Sequence, residues 1–339
     1  MKFRYFCVRV VLIFPTLIAV LTLNALILHF TPGSAASAEI ARAQAVAAAH
    51  GGSLTPHDIL AIRRADAYDG GSVVGFLHLL VRYSAFDLGR SLVSGRPVVG
   101  LIVQRLPVSI ALGMTATFLI YVISVPLGIL QALKAGSLFD RAATVVLLAA
   151  ASLPSFLLAL LMIACFGAGG AVSLFPLRGL VSNGFGQLSA VGRISDIAWH
   201  LALPVLAMSA GGFASLSLLV RHSIAEELGK LYVTALRARG MTERRIALRH
   251  LARRAALLLM ANLPQTFVAV LFTAAPLIEI IFSLPGLGLL GYRAALDRDT
   301  PVLLGTIYLY TLTGLLAHVV GDFFLQMLDP RIDFARLDH

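Results

Sequence analysis

The sequence predicts an all-α polytopic membrane protein with six transmembrane helices. Three observations carry that prediction. Hydrophobic residues make up 58% of the chain and charged residues 13%, at a mean hydropathy of +0.88, which excludes a water-soluble domain and a disordered chain alike. Six stretches are apolar over a length that crosses a hydrocarbon core, about 20 residues per helix. The lysines and arginines fall unequally on the two sides those stretches define.

The first span covers 10–30, behind a basic N-terminus carrying Lys2, Arg4 and Arg9. A cleavable signal peptide is the competing reading, with Ala36-Ser37-Ala38 as its cleavage site. The apolar stretch exceeds the roughly 7–15 residues of a signal's hydrophobic region, which favours a retained anchor. Residues 31–106 form an outer segment that opens low in complexity (SAASAEIARAQAVAAAHGG) and turns helical near Thr55, where Pro56 and Asp58 suit a first turn. Pro97–Leu106 reads as an interfacial helix leading into the second span. The transmembrane domain proper, 107–327, holds spans at 107–133, 142–166, 201–220, 257–282 and 302–327, followed by a short tail, 328–339. Pro15, Pro126, Pro154, Pro204, Pro264 and Pro276 predict kinks in these stretches.

With both termini on the inside, the inner segments hold sixteen lysines and arginines and the short outer segments four. Another seven lie in 31–106, which is too long for the rule to weigh. Both termini are therefore expected in the cytoplasm, and the net charge of +10 needs no nucleic acid to explain it. Cys7 and Cys165 match no metal or redox spacing and imply no disulfide framework.

Seven arginines crowd into 234–255 (TALRARGMTERRIALRHLARRA), inside the cytoplasmic loop 221–256. The loop suits two short helices. Ser223–Arg239 is helix-compatible apart from Gly229. Gly240 is a natural terminator, Thr242 a good N-cap and Glu243 a first-turn acid. The second helix is expected over about Glu243–Arg254, with Leu248, Leu251, Ala252 and Ala255 on one face. Charge alone suits a loop lying on anionic headgroups. A loop pinned at both ends to the bilayer has little reach into a nucleic-acid groove. A regular helix–Gly–helix element also suits a groove on a cytoplasmic protein partner.

Catalytic chemistry is not expected. There is no G-x-x-x-x-G-K-[ST], H-E-x-x-H or G-x-S-x-G, so no catalytic, cofactor-binding or metal-binding residue is assigned. Glu279 and Asp322 lie near the ends of the fifth and sixth spans. That depth favours snorkelling, pairing with a neighbour or gate packing over a proton relay at the bilayer centre. Gly211, Gly212, Ala214, Ser215 and Ser217 give the fourth span a small-residue face, fit to pack within the chain or against a sister subunit.

Tyr232–Met241 (YVTALRARGM) resembles the "EAA" loop of binding-protein-dependent ABC importer permeases, in the version used by peptide and nickel systems. The acidic residue that names that motif is absent, Thr234 standing before Ala235 and Leu236 where a second alanine is expected. The likeness extends along the chain through RVVLIFPTLIAVLTLNALILHFTPG, FDLGRSL, LPVSIALGMTATFLIYVISVPLGI, SLPSFLLALLMI, WHLALPVLAMS, EIIFSLPGLGLLGY and DPRIDF. Within the dipeptide, oligopeptide and nickel subfamily it is most similar to the type associated with oligopeptides and microcin C.

The resemblance implies a type I ABC importer permease fold in a bacterial inner membrane. It implies a second permease subunit as heterodimer partner, cytoplasmic ABC ATPase subunits, a periplasmic solute-binding protein, and peptides or peptide-like solutes as cargo. ATP hydrolysis would sit on the separate ATPase. The loop would be the coupling helix, with Thr234, Ala235, Arg237, Arg239, Gly240, Met241, Thr242, Glu243, Arg244 and Arg245 as coupling residues. Gly240 would set the bend, and Arg237, Arg239, Arg244 and Arg245 would meet acidic groups on the partner. Pro285, Gly286 and Gly288 would lie near the periplasmic gate. A stand-alone, ion-coupled secondary transporter is the alternative.

Overall fold

The structure is a computed structural model. It describes residues 2–30, 81–246 and 275–328, with isolated positions or short runs at 40, 44, 47–48, 55–56, 59, 251, 259, 262–263 and 266–268. The elements are α1 (Lys2–Phe30), α2 (Val98–Leu133), α3 (Leu138–Ser152), α4 (Ser155–Phe166), a 3-10 turn (Phe185–Gln187), α5 (Ala190–Leu228), α6 (Leu231–Ala238), α7 (Glu243–Ile246), α8 (Ala275–Ile281), α9 (Leu287–Leu296) and α10 (Thr300–Leu328). Among the described residues, α2, α5 and the 300–321 part of α10 are long and apolar enough to cross a bilayer. α3 and α4 make a fourth crossing if they act as one broken span.

Two sequence boundaries shift. The helix expected over Pro97–Leu106 and the second span are one continuous 36-residue helix, α2, because nothing between Arg105 and Ser109 breaks it apart from Pro107, which the helix absorbs. The third span is two helices meeting at 102°, broken where Pro154 caps the start of α4 and removes a backbone donor. The fifth span, 257–282, lies mostly outside the described residues.

The chain divides into two compact units, residues 1–108 with 285–316, and residues 109–284 with 317–339. In the first unit, α10 receives the segment 81–97. Gly305 permits this, since a Cβ there would stand 2.7 Å from Val98 Cγ1. Tyr83 packs edge-on to Tyr308 at 5.3 Å between ring centroids. Asp299, buried in the turn before α10, accepts hydrogen bonds from Ser91 Oγ at 2.5 Å and the Leu92 N–H at 3.1 Å.

In the second unit α5 is the hub, packed by α3, α4 and α8, with α2 alongside. The α2–α5 seam is built of small residues. Ser209 Oγ donates to the Ala116 carbonyl and Ser124 Oγ to the Phe213 carbonyl, each at 3.3 Å. Gly212 lies against Ile120, and Gly128 against Ser217 and Val220. These four contacts advance together along both chains, so α2 and α5 run parallel. Small residues let the backbones close up where apolar solvent supplies no hydrophobic drive. The small-residue face thus packs within the chain through Gly212 and Ser217, while Gly211 and Ser215 on its flank stay exposed.

Parallel α2 and α5 bring the 134–141 turn to the same end as Arg221. There Asp140, buried in the first turn of α3, takes both Arg221 Nε at 2.7 Å and an Arg221 terminal nitrogen at 2.8 Å.

Candidate functional site

The loop between α5 and α8 is shaped by local chemistry from its first residue. α5 stops at Leu228 because Gly229 caps it, its N–H reaching the Glu226 and Glu227 carbonyls, and Lys230 turns extended. The helix expected over Ser223–Arg239 is therefore broken in two, and α6 restarts at Leu231. Glu227 holds the corner. It accepts from Tyr232 Oη at 2.8 Å and pairs with the Lys230 ammonium. Val233 is buried on α6, whereas Leu231, Thr234, Ala235, Arg237, Ala238 and Arg239 are exposed.

Gly240 ends α6 as the sequence pattern expects. Its φ is +80°, a left-handed position that costs a β-carbon-bearing residue strain. The Gly240 N–H donates to the Arg237 carbonyl at 2.9 Å and the Met241 N–H to the Leu236 carbonyl at 3.2 Å. This pair of bonds is the Schellman arrangement, which satisfies two orphan carbonyls at the helix end. Thr242 then opens α7, its carbonyl accepting from the Arg245 and Ile246 N–H groups at 2.9 and 3.0 Å.

One ion pair spans the joint. Arg237 Nε donates to Glu243 Oε1 at 2.6 Å and a terminal nitrogen to Oε2 at 3.1 Å. The Arg237 guanidinium holds the Glu243 carboxyl below its usual range, chiefly through those hydrogen bonds. Both side chains are exposed, so the pair fixes shape more than it adds stability. Of the four arginines expected to meet a partner, Arg237 is thus engaged within the loop. Arg239 and Arg245 are exposed, and the Arg244 side chain lies outside the described residues. Met241 is half-buried and Ile246 buried, which seats the joint while its basic edge faces out. The second helix is described only over Glu243–Ile246, and its expected continuation to Arg254 lies outside the described residues, Leu251 excepted.

The other candidate residues fall elsewhere. Glu279, on α8, is fully buried and accepts from Ser109 Oγ at 2.5 Å, so it pairs within the second unit and does not snorkel. Pro285 is half-buried, and Gly286 and Gly288 are buried at the start of α9, where Gly286 is the N-cap. Asp322 lies on α10, its side chain outside the described residues. Sequence reasoning passed over Asp140, Arg221, Ser109 and Glu227. Asp140 had a signal, since Ser137-x-x-Asp140 is a capping pattern, and the Asp140 N–H does donate to Ser137 Oγ at 3.2 Å.

Comparison with known proteins bears on this geometry. A family model described as the binding-protein-dependent transport system inner membrane component matches residues 124–334, which include α5, α6 and α7. The inner membrane ABC transporter permease protein YejB of Escherichia coli O157:H7 is 40% identical across 97% of this chain and 98% of its own length. The peptidoglycan transport system permease protein YejB of Agrobacterium fabrum is 35% identical across 98% and 99%. The dipeptide transport system permease protein DppB of Bacillus subtilis is 28% identical across 97% of each chain. Among solved structures, the inward-facing MetNI methionine ABC transporter shares the fold with a TM-score of 0.50 at 19% identity, covering 69% of this chain and 98% of that one. The chain belongs to the binding-protein-dependent transport system inner membrane component family and is a permease of the ABC importer class.

Proposed function

We propose that this permease carries peptides or peptide-like solutes across a bacterial inner membrane, as one half of a heterodimer with a second permease. It would have six spans with both termini in the cytoplasm. A periplasmic binding protein would deliver cargo at the face near Pro285, Gly286 and Gly288, and Glu279 and Asp322 would serve gate packing. Cytoplasmic ATPase subunits would dock on α6 and α7. The observation that carries the reading is the preset joint at Gly240, with its capped helix end, its Arg237–Glu243 latch and its exposed Arg239 and Arg245, inside the segment that the family model matches. A rigid helix seated in a groove transmits a rigid-body tilt that a floppy loop would absorb. Peptide cargo is supported by the name of the Bacillus subtilis relative at 28% identity, a dipeptide transport system permease.

The test is purification of the chain with its genomic neighbours, followed by uptake in proteoliposomes. The expected result is a complex with an ATPase and a second permease, and uptake of tripeptides that requires ATP and the binding protein. A functional homo-oligomer that imports on a proton gradient alone would establish the secondary transporter instead.

A further inference from the structure

We propose that Asp140 and Arg221 are a positioning pair that carries displacement of the coupling loop into the membrane helices. The inference rests on the coupling reading above and names the contact through which coupling leaves the loop. Arg221 lies two turns before the end of α5, and α6 begins just past that end. Its guanidinium forks onto Asp140, Nε to Oδ1 at 2.7 Å and a terminal nitrogen to Oδ2 at 2.8 Å. The Gly136 N–H donates to the same Oδ2 at 3.0 Å, and the Asp140 side chain is 3% exposed. One step further in, Thr144 Oγ1 donates to the Asp140 carbonyl at 2.8 Å and accepts from Gln131 Nε2 at 3.1 Å. A single polar chain therefore joins the ends of α2, α3 and α5 at the end of the bundle where the coupling loop starts.

Stability alone is a poor reason to place an ion pair here. Desolvating two charges offsets much of their attraction, and apolar residues of similar volume would hold the three helices as well. A forked arginine–carboxylate contact supplies something an apolar contact does not: it fixes orientation as well as distance. When α6 tilts, the end of α5 turns with it, and the fork makes the first turn of α3 follow. Without the fork, α5 turns alone.

Asp140→Asn tests this. The amide still accepts from Gly136, and Ser137 still caps α3, so the helix start survives. The full complex, with sister permease, ATPase and binding protein, is reconstituted in proteoliposomes. Uptake of a radiolabelled tripeptide pool is read per ATP hydrolysed. The expected result is normal assembly and basal ATPase, with uptake per ATP lowered about two- to thirtyfold. Arg221→Lys, which keeps the charge and loses the fork, shows a smaller loss of the same kind. Asp140→Asn combined with Arg221→Gln is no worse than Asp140→Asn. Unchanged uptake per ATP in an assembled Asp140→Asn complex overturns the proposal. So does a fall of uptake and ATPase in equal proportion, which marks the pair as scaffolding. A wild-type complex whose ATPase drives no uptake overturns the coupling reading and the pair's role with it.

Discussion

Replacing Gly128 by alanine is the sharpest test of the α2–α5 seam. A β-carbon at 128 would stand 2.6 Å from the Ser217 carbonyl oxygen and 2.7 Å from Val220 Cβ. The first is backbone and the second is rooted on it, so no side chain can swing away. Ordinary contact begins near 3.4 Å, and the two helices would have to part by roughly 0.8 Å along the seam, a separation that opens the 116–209 and 124–213 contacts too. Overpacking of this kind costs about 1–3 kcal/mol, against about 1 kcal/mol gained from alanine's better helix propensity. With both close atoms fixed to the backbone the upper part of that range applies, about 2–3 kcal/mol, and the expected net loss is about 1–2 kcal/mol. Gly212→Ala makes the control. Its β-carbon would stand 2.3 Å from Ile120 Cδ1, the far end of a flexible side chain, although Cγ1 at 2.8 Å must also give. Its cost should therefore be smaller. Gly211→Ala meets nothing within 4 Å and should keep the propensity gain, up to about 1 kcal/mol of added stability. Unfolding of the purified chain in mixed micelles with graded SDS measures all three. Equal stability of Gly128→Ala and wild type, or a larger loss for Gly212→Ala than for Gly128→Ala, would refute the parallel small-residue seam.

Three further outcomes follow from the loop and from α8. Gly240→Ala meets no neighbouring atom within 4 Å, so its whole cost is the left-handed backbone, about 1–2 kcal/mol; weaker binding of the ATPase to detergent-solubilised permease, with the spans' stability unchanged, is the expected readout. Glu243 has its carboxyl held below the usual range by Arg237 in the folded loop. The latch is therefore complete above the ordinary carboxylate range and lost as pH falls through the lowered value. Protection of the Met241–Ile246 amides, taken relative to their intrinsic exchange rates, should fall over that acidic window in wild type and show no such step in Glu243→Gln. Ser109→Ala removes a donor from the fully buried Glu279 and should cost about 1–3 kcal/mol in the same SDS titration, with Ser109→Thr retaining more of the bond.

The helical, membrane-crossing character of the chain was legible in the sequence because hydropathy acts through bilayer thickness, and apolar length is a local quantity. The third span's break was signalled by Pro154, and the end of α6 by Gly240, since each residue restricts or frees its own backbone. Gly229 was visible as a weak point, but the sequence did not show that Lys230 would turn extended and restart the helix. What stayed hidden were pairings across long separations. Asp140 meets Arg221 because parallel packing of α2 and α5 brings the 134–141 turn to that end, and Ser109 meets Glu279 where α2 and α8 come together. The sense of the Arg237–Glu243 pair was hidden for a different reason. Charge counts cannot distinguish an arginine offered to a partner from one latched six residues along its own chain.

The most direct measurement places a photo-cross-linking residue at Arg239, on the exposed edge of α6 beside Gly240, in the complete complex in native membranes. The account predicts a cross-link to an ABC ATPase subunit whose yield changes when the ATPase is trapped with ATP and vanadate. Cross-links confined to lipid or to the chain itself, with the ATPase present and active, would contradict it.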